Sequence, residues 1–180
     1  MGKPKSLGHF LLAGAALALV ALAPSLASAQ TPAAKIGAGR QECGAAAQTQ
    51  RVALLIGNGG YDGADWDGLA NAPNDVERLC GVFAKAGFRV IRLVDVDAVT
   101  ARRAVEEFAT LSAAADTALI YYAGHGFEFG GENYLVPVDA PRLASKNGLA
   151  EHFLPLDALM GAARAKRFNL FFLDACRSFD

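Results

Sequence analysis

The chain has 180 residues, a formal net charge of −1 and an apolar fraction of 53%, slightly above the ~45–50% of an ordinary globular domain, which argues against long-range disorder. A pI near 6.3 leaves no basic stripe for nucleic-acid phosphates, and 19 Gly with 7 Pro are too dispersed for a collagen-like or low-complexity polymer. At ~100–200 residues per domain there is room for one folded domain and not for two.

At the N-terminus, Lys3 and Lys5 precede an apolar run from Phe10 to Ala23, and Ala27-Ser28-Ala29 follows before Gln30. A positive n-region, an apolar h-region and an A-x-A site predict a secretory signal peptide over residues 1–29. The apolar run has 14 residues, too few at helical rise to cross a ~30 Å hydrocarbon core. No stable membrane anchor is therefore expected after cleavage, and the mature chain is expected to be exported, to a periplasm or the extracellular space. Cleavage would remove two lysines and no acid, leaving 15 basic against 18 acidic groups. Residues 30–50 are rich in Ala, Gly and Gln and read as a flexible lead-in, which places the folded domain at 51–180.

From Arg51 onward short apolar runs alternate with helical periods. Val52 to Gly57 reads as a strand buried on both faces. Val76, Leu79, Cys80 and Phe83 repeat at i, i+3, i+4 and i+7, with Pro73 suited to the first turn of that helix and Gly87 to its end. A strand over Phe88 to Val94 precedes a helix with Thr100 as expected N-cap and Ala101, Ala104, Val105 and Phe108 on its inner face. Thr117 to Ala123 is the third strand. Phe127 to Phe129 and Asn133 to Val136, separated by Gly130-Gly131-Glu132, predict a hairpin. Leu156, Leu159, Met160 and Ala163 mark a short helix before the fourth main strand, Phe168 to Leu173. Strands joined through helices need crossover connections, so the expected architecture is α/β: a mostly parallel central sheet with helices on each side. In such sheets chemistry gathers beyond the carboxyl ends of the strands.

Gly57-Asn58-Gly59-Gly60-Tyr61-Asp62 follows the first strand. Asp62 stands where a dinucleotide fingerprint needs glycine, and a Walker lysine is absent, so this reads as a plain loop or one that shapes a cleft. Tyr121-Tyr122-Ala123-Gly124-His125-Gly126 follows the third strand, and Leu173-Asp174-Ala175-Cys176-Arg177-Ser178 ends the fourth. If those strands are neighbours, an imidazole and a thiol meet at one sheet edge. The imidazole can take or balance the thiol proton, which makes a better nucleophile, and can later protonate a leaving amine. Gly124 and Gly126 permit a tight turn and bring a backbone N–H close to an oxyanion. Read singly, His125 is an ordinary loop histidine and Cys176 a small buried hydrophobe. Zinc would need more ligands, and His152 is the only other histidine after residue 29. Neither a metal nor a cofactor is expected.

These residues resemble the caspase and metacaspase-like superfamily of cysteine peptidases in its bacterial form. His125 and Cys176 lie 51 residues apart, matching the ~50-residue spacing of caspases. Tyr-Ala-Gly-His-Gly, Asp-Ala-Cys-Arg, and Gly-Asn-Gly-Gly-Tyr followed by Asn74-Asp75 carry the likeness from Arg51 to Asp180, essentially a large catalytic subunit. The resemblance implies a three-layer αβα fold and a cysteine-type endopeptidase. It implies His125 as general base and acid, Cys176 as nucleophile, and the N–H groups of Gly126 and Cys176 as oxyanion hole, with no third catalytic acid.

Asp174 departs from caspases, which hold a substrate aspartate with Arg and Gln. Acids matching Asp75 and Asp174 occur in metacaspases, where they pair with basic residues, so cleavage after Arg or Lys is expected. Read without the resemblance, Asp75 is an acid in the first helical turn and Asp174 a strand-end cap. Ala123 stands where metacaspases often carry Ser. Family members also continue past the position of Asp180 with further strands. A fragment is therefore expected, its fold completed by a small-subunit-like segment or a partner chain. The expected partner in catalysis is a protein or peptide substrate. The alternatives are a non-catalytic caspase-like signalling or peptide-binding module and, more remotely, a flavodoxin-like binding domain. Cys43 could pair with Cys80, leaving Cys176 as the odd thiol, although Cys80 also fits the apolar face of its helix, which is the favoured reading.

Overall fold

A computed structural model describes residues 38–45, 49–61, 66–142 and 148–175, all within one unit spanning Ala34–Asp180. The expected signal peptide, Cys176 and the residues after it lie outside the described residues. Among the described residues five strands form the central sheet: β1 (Gly39–Cys43), β2 (Arg51–Gly57), β3 (Arg89–Val94), β4 (Thr117–Ala123) and β8 (Phe168–Asp174), in the order β1-β3-β2-β4-β8. β3, β2, β4 and β8 run parallel, and β1 runs antiparallel on the β3 edge. Parallel pairing forces long crossovers, which α1 (Asn71–Lys85) and α2 (Ala98–Ala114) supply.

Both faces of the sheet are covered because alternate residues on its strands are apolar on both sides. Ala53, Leu55, Val90, Val94 and Leu119 pack with Val76 and Cys80 of α1. Val52, Leu54, Ile56, Ile91, Leu93 and Ile120 pack with Ala101, Ala104, Val105 and Phe108 of α2. The layered α/β architecture read from the sequence is therefore the observed one. Asp97, not Thr100, caps α2: its carboxylate accepts the Thr100 N–H at 2.6 Å. Asp97 keeps an extended backbone, whereas Thr100 already lies inside the helix, so the cap sits three residues earlier than expected.

A second, antiparallel sheet stands at the carboxyl end of β4. It joins β5 (Gly126–Phe129), β6 (Glu132–Leu135) and β7 (Leu154–Pro155). Gly130 and Gly131, both at positive φ, make the two-residue turn of the β5–β6 hairpin. Among the described residues between β6 and β8 lie two short helices, α3 (Leu149–His152) and α4 (Leu156–Met160). The third strand of this sheet was not anticipated, because two residues carry no periodicity.

The lead-in expected at 30–50 requires correction, since residues 39–43 are a strand. Gly-Arg-Gln-Glu-Cys has no apolar alternation because β1 is an edge strand, held by side chains instead of burial. Arg40 pairs with Glu42 and with Glu107 of α2, and Arg89 pairs with Glu42. The Gln41 side chain accepts from Arg92, which is buried on β3 and also binds Glu77 of α1.

Cys43 and Cys80 form a disulfide with Cα atoms 6.0 Å apart, pinning β1 to α1. Cys80 is therefore both buried in the apolar face of its helix, as favoured, and bonded, as the alternative held. The chain has three cysteines, so Cys176 is the one outside this pair. Closing a loop of this size stabilises by roughly 2–4 kcal/mol. Replacing both cysteines with serine should lower unfolding free energy by about that amount in urea titration, and wild-type protein should lose the same amount in dithiothreitol. An unchanged midpoint in both would show that the bond contributes nothing.

Candidate active site

β2 and β4 end together, with Gly57 opposite Ala123, and β4 and β8 end together, with Ala123 opposite Asp174. The segment carrying His125 thus leaves β4 level with the last residue of β8. The two are tied by the Gly124 N–H donating to the Asp174 carbonyl at 3.3 Å. A side chain on Gly126 would place its Cβ 3.5 Å from the Ala175 Cβ, so Gly126 stands beside the residue that precedes Cys176.

His125 is held at every backbone polar group. Its N–H donates to the Tyr61 hydroxyl at 3.1 Å, and its carbonyl accepts the Tyr122 hydroxyl at 2.7 Å. The Tyr61 hydroxyl donates onward to the Val136 carbonyl at 3.0 Å, and the Tyr122 hydroxyl accepts the Val136 N–H at 3.2 Å. Burial pushes the Tyr61 phenol up to about 12 and that of Tyr122 well above its usual range, so both remain protonated donors at neutral pH. The His125 ring packs against Tyr61, centroids 4.8 Å apart, and against Trp66 at 5.4 Å.

The imidazole Nε2 lies 2.7 Å from the Asp67 carbonyl oxygen. A carbonyl only accepts, so Nε2 carries the proton and the lone pair of the neutral ring is on Nδ1. The Asp67 carbonyl thus orients the imidazole with no carboxylate at Nε2. The Val136 N–H also reaches the His125 carbonyl, at 3.0 Å. By the alternation of antiparallel pairs, Gly126 then faces Leu135 in a non-hydrogen-bonded pair. Its N–H is directed away from β6.

Asp75 and Asp174 come together with His125. They line one cleft of about 330 Å³, along with Leu69, Ala72, Ala123 and Gly124. Asp75 is half-buried in the second turn of α1, which has no acid in its first turn. A helix-dipole role therefore does not account for it. Asp174 is exposed at the end of β8, facing the same cleft.

The glycine-rich loop after β2 shapes this region. Cβ atoms on Gly57 and Gly59 would fall 2.5 Å from the Ala72 carbonyl and 2.1 Å from the Leu69 carbonyl, so only glycine lets the first turn of α1 and the chain leading into it approach. The buried Asn58 donates to the Val136 carbonyl and accepts the Val96 N–H. Sequence reasoning missed Tyr61, Tyr122, Trp66 and the Asp67 carbonyl. The glycine run was the available signal that backbone and rings pack closely there.

A histidine just past the end of one parallel strand, level with the end of a neighbouring strand and with acids in the shared cleft, is an arrangement consistent with a caspase-like fold. Comparison with known families agrees: the caspase domain model matches residues 50–180, and the chain belongs to the caspase domain family. It is 36% identical over 129 residues to human mucosa-associated lymphoid tissue lymphoma translocation protein 1, covering 71% of this chain and 15% of that protein. The mouse homolog of that protein is 34% identical over 142 residues, covering 77% of this chain and 16% of its own length. The chain thus spans about one sixth of these relatives.

Gly124 tests the packing around His125. A Cβ there would sit 2.5 Å from the Tyr122 hydroxyl and 3.0 Å from that of Tyr61. Gly124→Ala should cost about 1–3 kcal/mol through this crowding, seen as a lower urea midpoint at unchanged slope. A midpoint equal to wild type would show that the hydroxyls are not fixed as described.

Proposed function

We propose that this chain carries a cysteine endopeptidase that cleaves after arginine or lysine, with His125 and Cys176 as the catalytic pair. The observation that carries the reading is the in-register end of β4 and β8, which sets His125 beside the segment bonded to Cys176. Cys176 attacks the scissile carbonyl as thiolate after its proton passes to Nδ1 of His125. The oxyanion is held by the N–H groups of Gly126 and Cys176. The imidazolium then protonates the departing amine, which leaves an acyl-enzyme thioester. Water, deprotonated by His125, hydrolyses the thioester and restores the thiol.

Asp75 and Asp174 lie on the walls of the cleft, where two carboxylates attract a guanidinium or ammonium and repel an acidic side chain. Ala123 offers no hydroxyl there. The substrate is accordingly a protein or peptide with a basic residue before the cut.

The protein acts after export, in a periplasm or outside the cell, following removal of residues 1–29. The Cys43–Cys80 disulfide supports this placement, because such bonds persist in oxidising compartments. A further strand, from a small-subunit-like segment or a partner chain, pairs with the outer edge of β8. Support comes from the exposure of Phe168, Leu170, Phe172 and Leu173, between 41% and 56%, on a strand paired only with β4 among the described residues.

Arg- and Lys-terminated fluorogenic peptides assayed with the full protein, Cys176→Ala and His125→Ala test the reading. Cys176→Ala should abolish turnover and His125→Ala should lower it about 10²–10⁴-fold. Equal turnover in wild type and Cys176→Ala, or none in wild type, would leave the non-catalytic module as the correct reading. For specificity, Asp174→Asn should reduce kcat/KM for Arg substrates about 10- to 100-fold, the worth of one charge-assisted contact. An unchanged Arg preference would remove Asp174 from the pocket.

A further inference from the structure

The loop that carries Tyr61 is itself anchored from a third strand. Asp95, immediately after β3, has φ +49, a left-handed conformation that few side chains other than Asp and Asn accept readily. One oxygen of its carboxylate accepts two consecutive backbone donors, the N–H groups of Gly59 and Gly60, each at 2.7 Å. The Asp95 N–H donates to the Gly57 carbonyl at 3.0 Å, closing the contact from the backbone side. A Cβ on Gly60 would meet the carboxylate at 2.9 Å, so a larger residue there would have to displace it. The next residue is Tyr61, whose hydroxyl receives the His125 N–H and whose ring lies against the imidazole.

We infer that Tyr61 is a positioning residue for His125, and that Asp95 acts through Tyr61 by fixing the loop from which it projects. The inference rests on the peptidase reading above and adds to it an orienting chain that runs from the end of β3 to the imidazole. Each link has a chemical reason. The carboxylate makes charge-assisted bonds that set the loop. The loop sets the phenol, and the phenol neutralises the one His125 backbone donor that β6 does not take. The ring then limits imidazole tilt, while the Asp67 carbonyl fixes the tautomer. A general base displaced by a fraction of an ångström still binds substrate but transfers its proton poorly. The loss therefore belongs in kcat and not in KM.

The test uses the full protein, with Tyr61→Phe, Asp95→Gly and Asp95→Asn beside wild type. Tyr61→Phe keeps the ring and deletes the hydroxyl. Asp95→Gly deletes the carboxylate without straining the left-handed backbone, and Asp95→Asn keeps an oxygen acceptor there. On an Arg-terminated peptide, Tyr61→Phe and Asp95→Gly should each lower kcat about 10- to 100-fold with KM within about twofold. Asp95→Asn should recover most of the Asp95→Gly loss. Wild-type kcat in both loss variants, or a loss carried by KM, would overturn the inference.

A second readout does not depend on turnover. In Cys176→Ala protein labelled with ¹⁵N-histidine, the His125 Nε2–H should give a protected imidazole resonance that broadens or disappears on adding Tyr61→Phe. If wild type cleaves nothing but this resonance changes, the peptidase reading fails and the positioning chain stands. If wild type is active and the resonance is indifferent to both loss variants, the positioning chain fails and the peptidase reading stands. Should Tyr61→Phe not fold, as judged by circular dichroism, Asp95→Gly and its Asn rescue decide the matter by the same two readouts.

Discussion

The pairing of β4 with β8 is the constraint on which the functional architecture depends. Parallel strands in the same sheet emit their following segments at the same edge, and their register decides whether those segments meet. Here Ala123 faces Asp174, and the Gly124 N–H closes onto the Asp174 carbonyl. A slip of one residue would turn Asp174 to the other face of the sheet and withdraw it from the cleft it shares with Asp75. The apolar faces of the strands prevent that slip. Leu119 and Tyr121 lie on the α1 side, while Ala118, Ile120 and Tyr122 lie on the α2 side, and each set is fitted to its own helix.

Around this register the molecule treats its two sheet edges differently. The β3 edge is closed by β1 through ion pairs, the Arg92 side chain and a covalent bond. The β8 edge keeps large apolar side chains in solvent. A sheet so firmly finished on one side and apolar on the other has a direction in which it can be extended, and the candidate site lies toward the extensible side. The half of the domain that carries the candidate site is thus the half least bound up in its own core.

Much of this could be read from the residues. Continuous apolar strands at Val52–Gly57 and Thr117–Ala123, with i, i+3, i+4 periods between strands, reflect burial on both faces, and burial leaves a compositional trace. The position of His125 just past β4, level with the end of β8, was legible because the strands that flank it are continuous apolar runs. β1 was not legible, because an edge strand fastened by Arg40, Glu42, Arg89 and a disulfide needs no apolar alternation. β7 was too short to show a period. The Thr100 cap failed by one turn, since Asp97 and Thr100 are both good capping residues and only the backbone conformation separates them. Within the site, Asp75 and Asp174 were expected from the family resemblance, since read alone they pass for a helix-turn acid and a strand-end cap. Tyr61, Tyr122 and Asp95 were not, because a buried phenol reads as core and an aspartate after a strand reads as a turn.

The Cys43–Cys80 bond brackets β2, the glycine-rich loop, and the part of α1 that carries Asp75. All of these lie inside one covalent ring. A single cut in the backbone within that ring releases no fragment, because both new ends remain joined through sulfur. A nick near the cleft would therefore change the connectivity of the chain and leave β1 and β2 covalently attached to the rest of the sheet.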